Sequence, residues 1–317
     1  MTSRVPDFVI VGAQRAASTY LQACLRGHPE LFLCPDEVPF FEDPFFHTTP
    51  PSALAAVFAG ARPGQRLGIQ RPDYLGRPEC PAHIHSLAPH ARILAVLRDP
   101  VARAVSAYCW YVQFGLLPME PVDDGLGRLL AGWSDPAYPR AGEIVDFGFY
   151  GRHLTRYVET FRRDQVLVLL SDDLDGPDGL HRIYSFLDVD PDHRFRSRSR
   201  NRPTNAGVYD LRRLRVLRAR RRFVWSWDDV TVYRYQPRRR RRPFAFIPNA
   251  AVVGFDRVVL ARLFGSSPPS LDPELEARLR ALYADDVAVL EHLLDRDLSA
   301  WRHPPPPPPN VGGLGTL

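Results

Sequence analysis

The chain has 317 residues, 45% of them hydrophobic, with a formal charge of +5 and a pI near 9.2. That is enough apolar material for one large α/β domain. No uncharged apolar run reaches 18 residues, so no transmembrane helix is expected.

The basic balance favours anionic ligands without naming one. The chain has no lysine, so every basic side chain counted is arginine and part of that arginine is compositional background. Cys24, Cys34, Cys80 and Cys109 show neither metal-ligand nor disulfide-framework spacing. With no signal-like N-terminus, a cytoplasmic setting is expected.

Residues 7–25, DFVIVGAQRAASTYLQACL, read as strand, tight loop and helix. Phe8 to Val11 suits a strand buried on both faces, and Gly12 ends it. Tyr20, Leu21, Cys24 and Leu25 then recur at helical spacing. The loop before that helix is rich in small residues, which lets an anion approach the backbone N–H groups at a helix start. Arg15 adds a fixed charge, and Ser18 and Thr19 add hydroxyls. The triphosphatase pattern G-x-x-x-x-G-K-[ST] is absent. An ordinary strand-to-helix turn is the competing reading.

Residues 28–43, HPELFLCPDEVPFFED, place a short strand at Leu31 to Leu33 with Asp36 and Glu37 just beyond it. Alone, these acids read as solvated turn residues. Residues 44–65 suit a loop with a short helix around Ala53 to Phe58. In LGIQRPDYL, residues 67–75, Arg71 is either a ligand-facing cation or a surface partner of Asp73. His83, His85 and His90 fit a solvated face better than a metal site, because no cysteine or carboxylate pattern completes one.

Residues 92–108, RILAVLRDPVARAVSAY, repeat the strand, turn and helix pattern. Asp99 suits an N-cap and Pro100 the first helical position. Arg98 falls at the strand's carboxyl end and Ser106 two turns past Asp99. Ligands of open parallel sheets bind outside the carboxyl ends of the strands. Two such units, each with an arginine and a hydroxyl, would hold one ligand with two separated anionic groups. A local Arg98–Asp99 pair is the bland alternative.

Residues 109–147 suit one helix and a long loop, with Tyr108, Trp110, Tyr111 and Phe114 as an aromatic patch. Residues 149–161 have helical spacing and precede a buried strand at 165–170; His181 to Leu187 reads as a further helix. This alternation predicts a parallel sheet. Residues 194–242 hold eighteen arginines against Asp210, Asp228 and Asp229, with Trp225, Trp227, Tyr233 and Tyr235 interleaved. That composition suits a polyanion site or a solvated surface. Pro273 to Leu294 reads as an amphipathic helix capped by Asp272, with Leu275, Leu279, Leu282, Val289 and Leu293 near one face. Residues 302–317, polyproline then glycine-rich, are expected to be disordered.

The two strand-loop-helix motifs together resemble those of sulfotransferases that use 3′-phosphoadenosine 5′-phosphosulfate (PAPS), in the bacterial and glycan-type branch. The first is similar to the family's 5′-phosphosulfate loop, G-x-Q-[KR]-[AGS]-[GA]-[ST]-[ST], and the second to its 3′-phosphate motif, L-R-[DN]-P-x-x-R-x-x-S-x-Y. The likeness is tight over residues 7–42 and 66–108, and returns weakly at the ending LLDRDLSAW, residues 293–301.

The resemblance implies a three-layer α/β/α fold with a central parallel sheet, a P-loop-like domain spanning residues 1–301. It implies that Gln14, Arg15, Ala16, Ala17, Ser18 and Thr19 surround the phosphosulfate and that Arg98 and Ser106 hold the 3′ phosphate. By alignment with K-E-x-x-[FY]-F it makes Glu37 the general base, with Asp36 replacing the lysine. Arg15 and Arg71 become the cations of catalysis, Arg71 standing where a lysine is frequent. The implied donor is PAPS, with no metal, and the acceptor is a hydroxyl-bearing glycan, lipid or small molecule. Residues 194–242 would then serve acceptor or cofactor, and Arg202 to Asn205 resembles an asparagine-containing family segment. Ala17 in place of the loop's usual glycine and the missing lysines are departures. A nucleoside-phosphate kinase or NTPase, and a polyanion- or nucleic-acid-binding protein, are the other readings.

Overall fold

The computed structural model describes residues 4–16, 18–194, 207–219, 225–227, 235–237, 246–265 and 267–303. Its centre is a five-stranded, all-parallel sheet in the order β2-β3-β1-β4-β5. The strands are β1 (Phe8–Gly12), β2 (Leu31–Leu33), β3 (Arg66–Gln70), β4 (Arg92–Leu97) and β5 (Val166–Leu170). β1 pairs with β3, Phe8 opposite Gly68, and with β4, Phe8 opposite Arg92. The chain leaves β1 to one side for β2 and β3, then crosses to the other side for β4. The sheet therefore reverses direction around β1, and a crevice opens there at the carboxyl ends of the strands.

Side-chain alternation accounts for the two covered faces. Phe8, Ile10, Leu94 and Val96 pack with Leu21 and Leu25 of helix α1 (Ser18–Gly27) and with Ile183 and Tyr184 of the helix Pro177–Phe186. Val9, Val11, Ile93, Ala95 and Leu97 face the larger second core. That core includes short helices α2 (Phe45–Thr48) and α3 (Pro51–Ala56), then α4 (Cys80–Leu87), α5 (Pro100–Phe114) and the helices Tyr150–Thr160 and Pro273–Leu294. Helices thus lie on both sides of one parallel sheet, the three-layer α/β/α arrangement expected.

The structure corrects several local expectations. Residues 44–65 form two short helices, ending at Ala56, instead of one around 53–58. Residues 109–147 hold the end of α5 and two more helices, Val122–Leu130 and Glu143–Asp146. On the helix Pro273–Leu294 the buried stripe is Leu275, Leu279, Tyr283, Val287 and Leu290, while Leu282 and Val289 face outward at 41% and 49% exposure. Tyr283 takes the inward position because its ring packs on Phe149 and its hydroxyl donates to the Val145 carbonyl at 2.9 Å. The Asp272 cap forms as expected, accepting from the amides of Glu274 and Leu275.

Trp225–Trp227 pairs antiparallel with Tyr235–Pro237. Most of residues 194–242, including Arg202 to Asn205 and the run Arg238 to Arg242, and residues 304–317 lie outside the described residues. Among the described residues, no helix is long and apolar enough to cross a membrane.

Candidate active site

Gly12 closes β1 where the backbone passes tightly over Leu75: a Cβ at this position would lie 2.7 Å from that of Leu75. The loop then turns across the sheet edge, tied by the Ala13 amide to the Val96 carbonyl at 2.7 Å. Ala13 and Ala16 are buried in the core, so the small residues of this loop serve packing as well as access. The Ala16 amide is engaged with the Ala13 carbonyl at 3.2 Å. Arg15 sits at φ 68°, in the left-handed region that costs a non-glycine residue of order 1 kcal/mol. Such strain concentrates at ligand-holding turns. Ser18 and Thr19 open α1, and Ala17 lies outside the described residues.

The second unit meets the first at this edge. Arg15 donates from Nε to Oγ of Ser106 at 3.1 Å, joining residues 91 apart in sequence. Ser106 is buried on α5. Burial lowers the Arg15 pKa; Tyr209 opposes it, and the nearby positive charge of Arg98 adds to the lowering. Neither Arg15 nor Arg98 has a carboxylate partner among the described residues. Two close guanidiniums without counter-charge, beside a helix start, make an anion site. Asp99 does not pair with Arg98. It caps α5 through the Ala102 amide at 2.8 Å and takes Arg280 at 3.1 Å. The motif's second arginine, Arg103, is fully buried and donates to the Ile144 carbonyl, a packing role.

On the β3 side, the Arg71 amide continues the ladder by donating to the Ile10 carbonyl at 3.0 Å. Its guanidinium binds three carboxylates: Glu42 at 2.5 Å, Glu37 at 2.6 Å and Asp73 at 3.0 Å. The pairing with Asp73 was one expected outcome, but it is buried rather than at the surface: Asp73 is 4% exposed and Glu42 1%. Burial alone would depress the Arg71 pKa; Asp73, Glu42 and Glu37 outweigh it and hold it well above the ordinary value. Burial pushes the Glu42 carboxyl up against the pull of Arg71. Burial acts the same way on Asp73, but Arg71, Arg140 and Arg77 hold it well below the carboxylate range.

The network runs on. Arg140 spans Asp73 and Glu143, both at 2.7 Å, and Glu143 also takes Arg77 at 2.5 Å and the Tyr111 hydroxyl at 2.6 Å. Gln14 of the first loop donates to Asp73 at 3.0 Å, with its own Oε1 buried and unpartnered. A continuous polar chain therefore links the β1 loop to Glu37. Glu37 is its exposed end: the side chain is 47% accessible and, among the described residues, Oε2 alone is engaged. The segment behind it is pinned by Tyr74, whose hydroxyl donates to the Val38 carbonyl and accepts from the Phe41 amide at 3.3 Å.

The expected loop and Arg98–Ser106 residues thus converge at one edge, with Glu37 and Arg71 joined to them through Gln14 and Asp73. Sequence reasoning missed Glu42, Asp73, Arg140 and Glu143 as site members. Asp73 stood beside Arg71 in a segment already singled out; Arg140 sits 67 residues further on in a proline- and glycine-rich loop, with no local signal. Phe40 and Phe41, which follow Glu37 in the chain, are buried and pack edge to face.

No family model matches the sequence. The chain is 28% identical over 218 residues to the bifunctional heparan sulfate N-deacetylase/N-sulfotransferase 1 of Caenorhabditis elegans, covering 63% of this chain and 24% of that protein. It is 27% identical over 194 residues to the mouse heparan sulfate glucosamine 3-O-sulfotransferase 6, covering 58% of this chain and 52% of that protein. The chain thus spans about half, or less, of the length of these curated relatives. A sulfotransferase crystal structure from Alicyclobacillus acidocaldarius superposes with a TM-score of 0.61 at 23% identity, over 94% of this chain and 99% of that one, a likeness of fold. Motifs, relatives and sheet topology agree: the chain is similar to sulfotransferases in sequence and in fold.

Proposed function

We propose that this protein moves a sulfuryl group from PAPS to a hydroxyl of an acceptor, with Glu37 as general base. What carries the reading is the Arg15–Ser106 contact at 3.1 Å, with Arg98 alongside and no carboxylate opposing either arginine among the described residues. A donor with a phosphosulfate at one end and a 3′ phosphate at the other supplies two anionic groups for that edge. Arg15 and the amides at the start of α1 take the phosphosulfate; Arg98 and Ser106 take the 3′ phosphate.

The acceptor oxygen forms a bond to sulfur as the bond from sulfur to the bridging phosphate oxygen breaks. The acceptor proton passes to Glu37, and adenosine 3′,5′-bisphosphate leaves. Positioning and charge stabilisation supply most of the acceleration. Arg71, already committed to three carboxylates, holds Glu37 Oε2 and leaves Oε1 for the acceptor. Both relatives are named for heparan sulfate, which favours a glycan acceptor, and the 3-O-sulfotransferase among them favours a hydroxyl.

Thermal shift with adenosine 3′,5′-bisphosphate, ADP and AMP tests the assignment. At a hundredfold excess over Kd the bisphosphate should stabilise by about 2.7 kcal/mol, and Arg98→Ala should remove the effect. An equal response to ADP would reject the pocket.

A further inference from the structure

We propose that Asp43, His47 and His83 form a binding site for a divalent ion of the zinc class, separate from the transfer chemistry. One donor atom from each of the three lies within 4.8 Å of the other two. The sequence offered His83 no carboxylate or cysteine to complete a site; the fold brings both missing ligands from the β2–β3 connection.

The local geometry explains how. Asp43 precedes the four-residue helix α2, and His47 follows one turn later, its Nε2 3.3 Å from Asp43 Oδ1. His83 projects from α4, its ring stacked on Phe46 at 3.9 Å between centroids and 7° between planes. Its Nδ1 lies 3.0 Å from the Phe41 carbonyl oxygen. A carbonyl can only accept, so Nδ1 carries the proton and Nε2 keeps the lone pair. A backbone carbonyl fixing the tautomer and orientation of a ring is the usual support of a metal-bound histidine.

Tetrahedral zinc with N and O ligands near 2.1 Å sets donors about 3.4 Å apart. The Asp43–His47 separation of 3.3 Å already meets this, and bringing in His83 from within 4.8 Å needs a movement of no more than about 1.4 Å. Asp43 and His47 are half-exposed or more, which permits that movement and leaves the fourth position to water. Two imidazoles and one carboxylate favour zinc, cobalt or nickel over magnesium or calcium. Binding would tie the segment carrying Glu42 to α4.

The test uses untagged protein titrated with ZnCl2 by calorimetry, and with Co2+ by visible absorption. The expected result is one zinc per chain, intense tetrahedral Co2+ bands, and no competition from Mg2+. Asp43→Asn and His47→Ala, both at exposed positions, should each weaken zinc binding by roughly tenfold or more. Stoichiometric binding that survives both variants unchanged would place the ion elsewhere and overturn the proposal, as would absence of binding in the unaltered protein. Bisphosphate binding should be the same in these variants, so the outcome is independent of the assigned activity.

Discussion

Replacing Arg71 by Met removes the guanidinium from under Glu42 and Asp73 while keeping much of the side-chain volume. Asp73 retains Arg140 at 2.7 Å. Glu42, 1% exposed, loses its direct ion-pair partner. Breaking a buried pair in this way costs about 3–5 kcal/mol, or some 6–10 °C in Tm for a domain of this size. The pH dependence gives a second signature. Burial already raises the Glu42 pKa, and without Arg71 it rises further. A carboxyl whose folded pKa exceeds its unfolded value binds more protons when folded, so stability falls as pH rises through the folded pKa. The deficit of Arg71→Met should therefore be largest near pH 8 and shrink toward pH 5. Adding Glu42→Gln should recover much of the loss at pH 8, since the stranded charge is gone. The assay is urea unfolding followed by circular dichroism across that range, with m-values compared to check two-state behaviour. A loss of about 1 kcal/mol or less, the size expected of a surface pair, with no pH dependence and no recovery in the double variant, would refute the buried network.

Glu37→Gln should lower turnover by about 10²–10⁴-fold while leaving bisphosphate affinity within about twofold, since a general base touches the acceptor and not the donor; wild-type turnover with a competent acceptor would reassign the base. His153 is 1% exposed, with its Nε2 2.9 Å from the Asp146 carbonyl, and burial lowers its pKa to about 4. A histidine depressed in the folded state leaves the unfolded state binding more protons, so stability should fall between about pH 6.5 and pH 4 at up to about 1.4 kcal/mol per pH unit. The slope should flatten in His153→Gln; an unchanged slope would remove His153 as its source.

The strand-loop-helix units at residues 7–25 and 92–108 were legible because every signal in them is local: apolar runs of strand length, a terminating glycine, an Asp-Pro helix start and helical spacing afterwards. Those signals placed Arg15, Arg98 and Ser106 at strand ends, and parallel pairing brings strand ends to one edge. The helix Pro273–Leu294 was found from its period and cap, but its buried face was misjudged where Tyr283 displaced aliphatic neighbours. Composition and spacing carry no term for which side chain a facing helix will accept.

What only the tertiary structure decided is the state of the charges. Glu42, Arg140 and Glu143 carry no site signal in sequence, and Arg71 and Asp73 read there as a ligand-facing cation or a surface pair. The sheet and its crossovers bury them together, and burial turns isolated charges into a network that must be matched partner by partner. The same packing left Arg15 and Arg98 without carboxylate partners among the described residues and brought Asp43 and His47 to His83. Local sequence sets which groups stand at the end of each strand. Which of them meet, and whether they meet in water or out of it, is set by contacts dozens of residues apart.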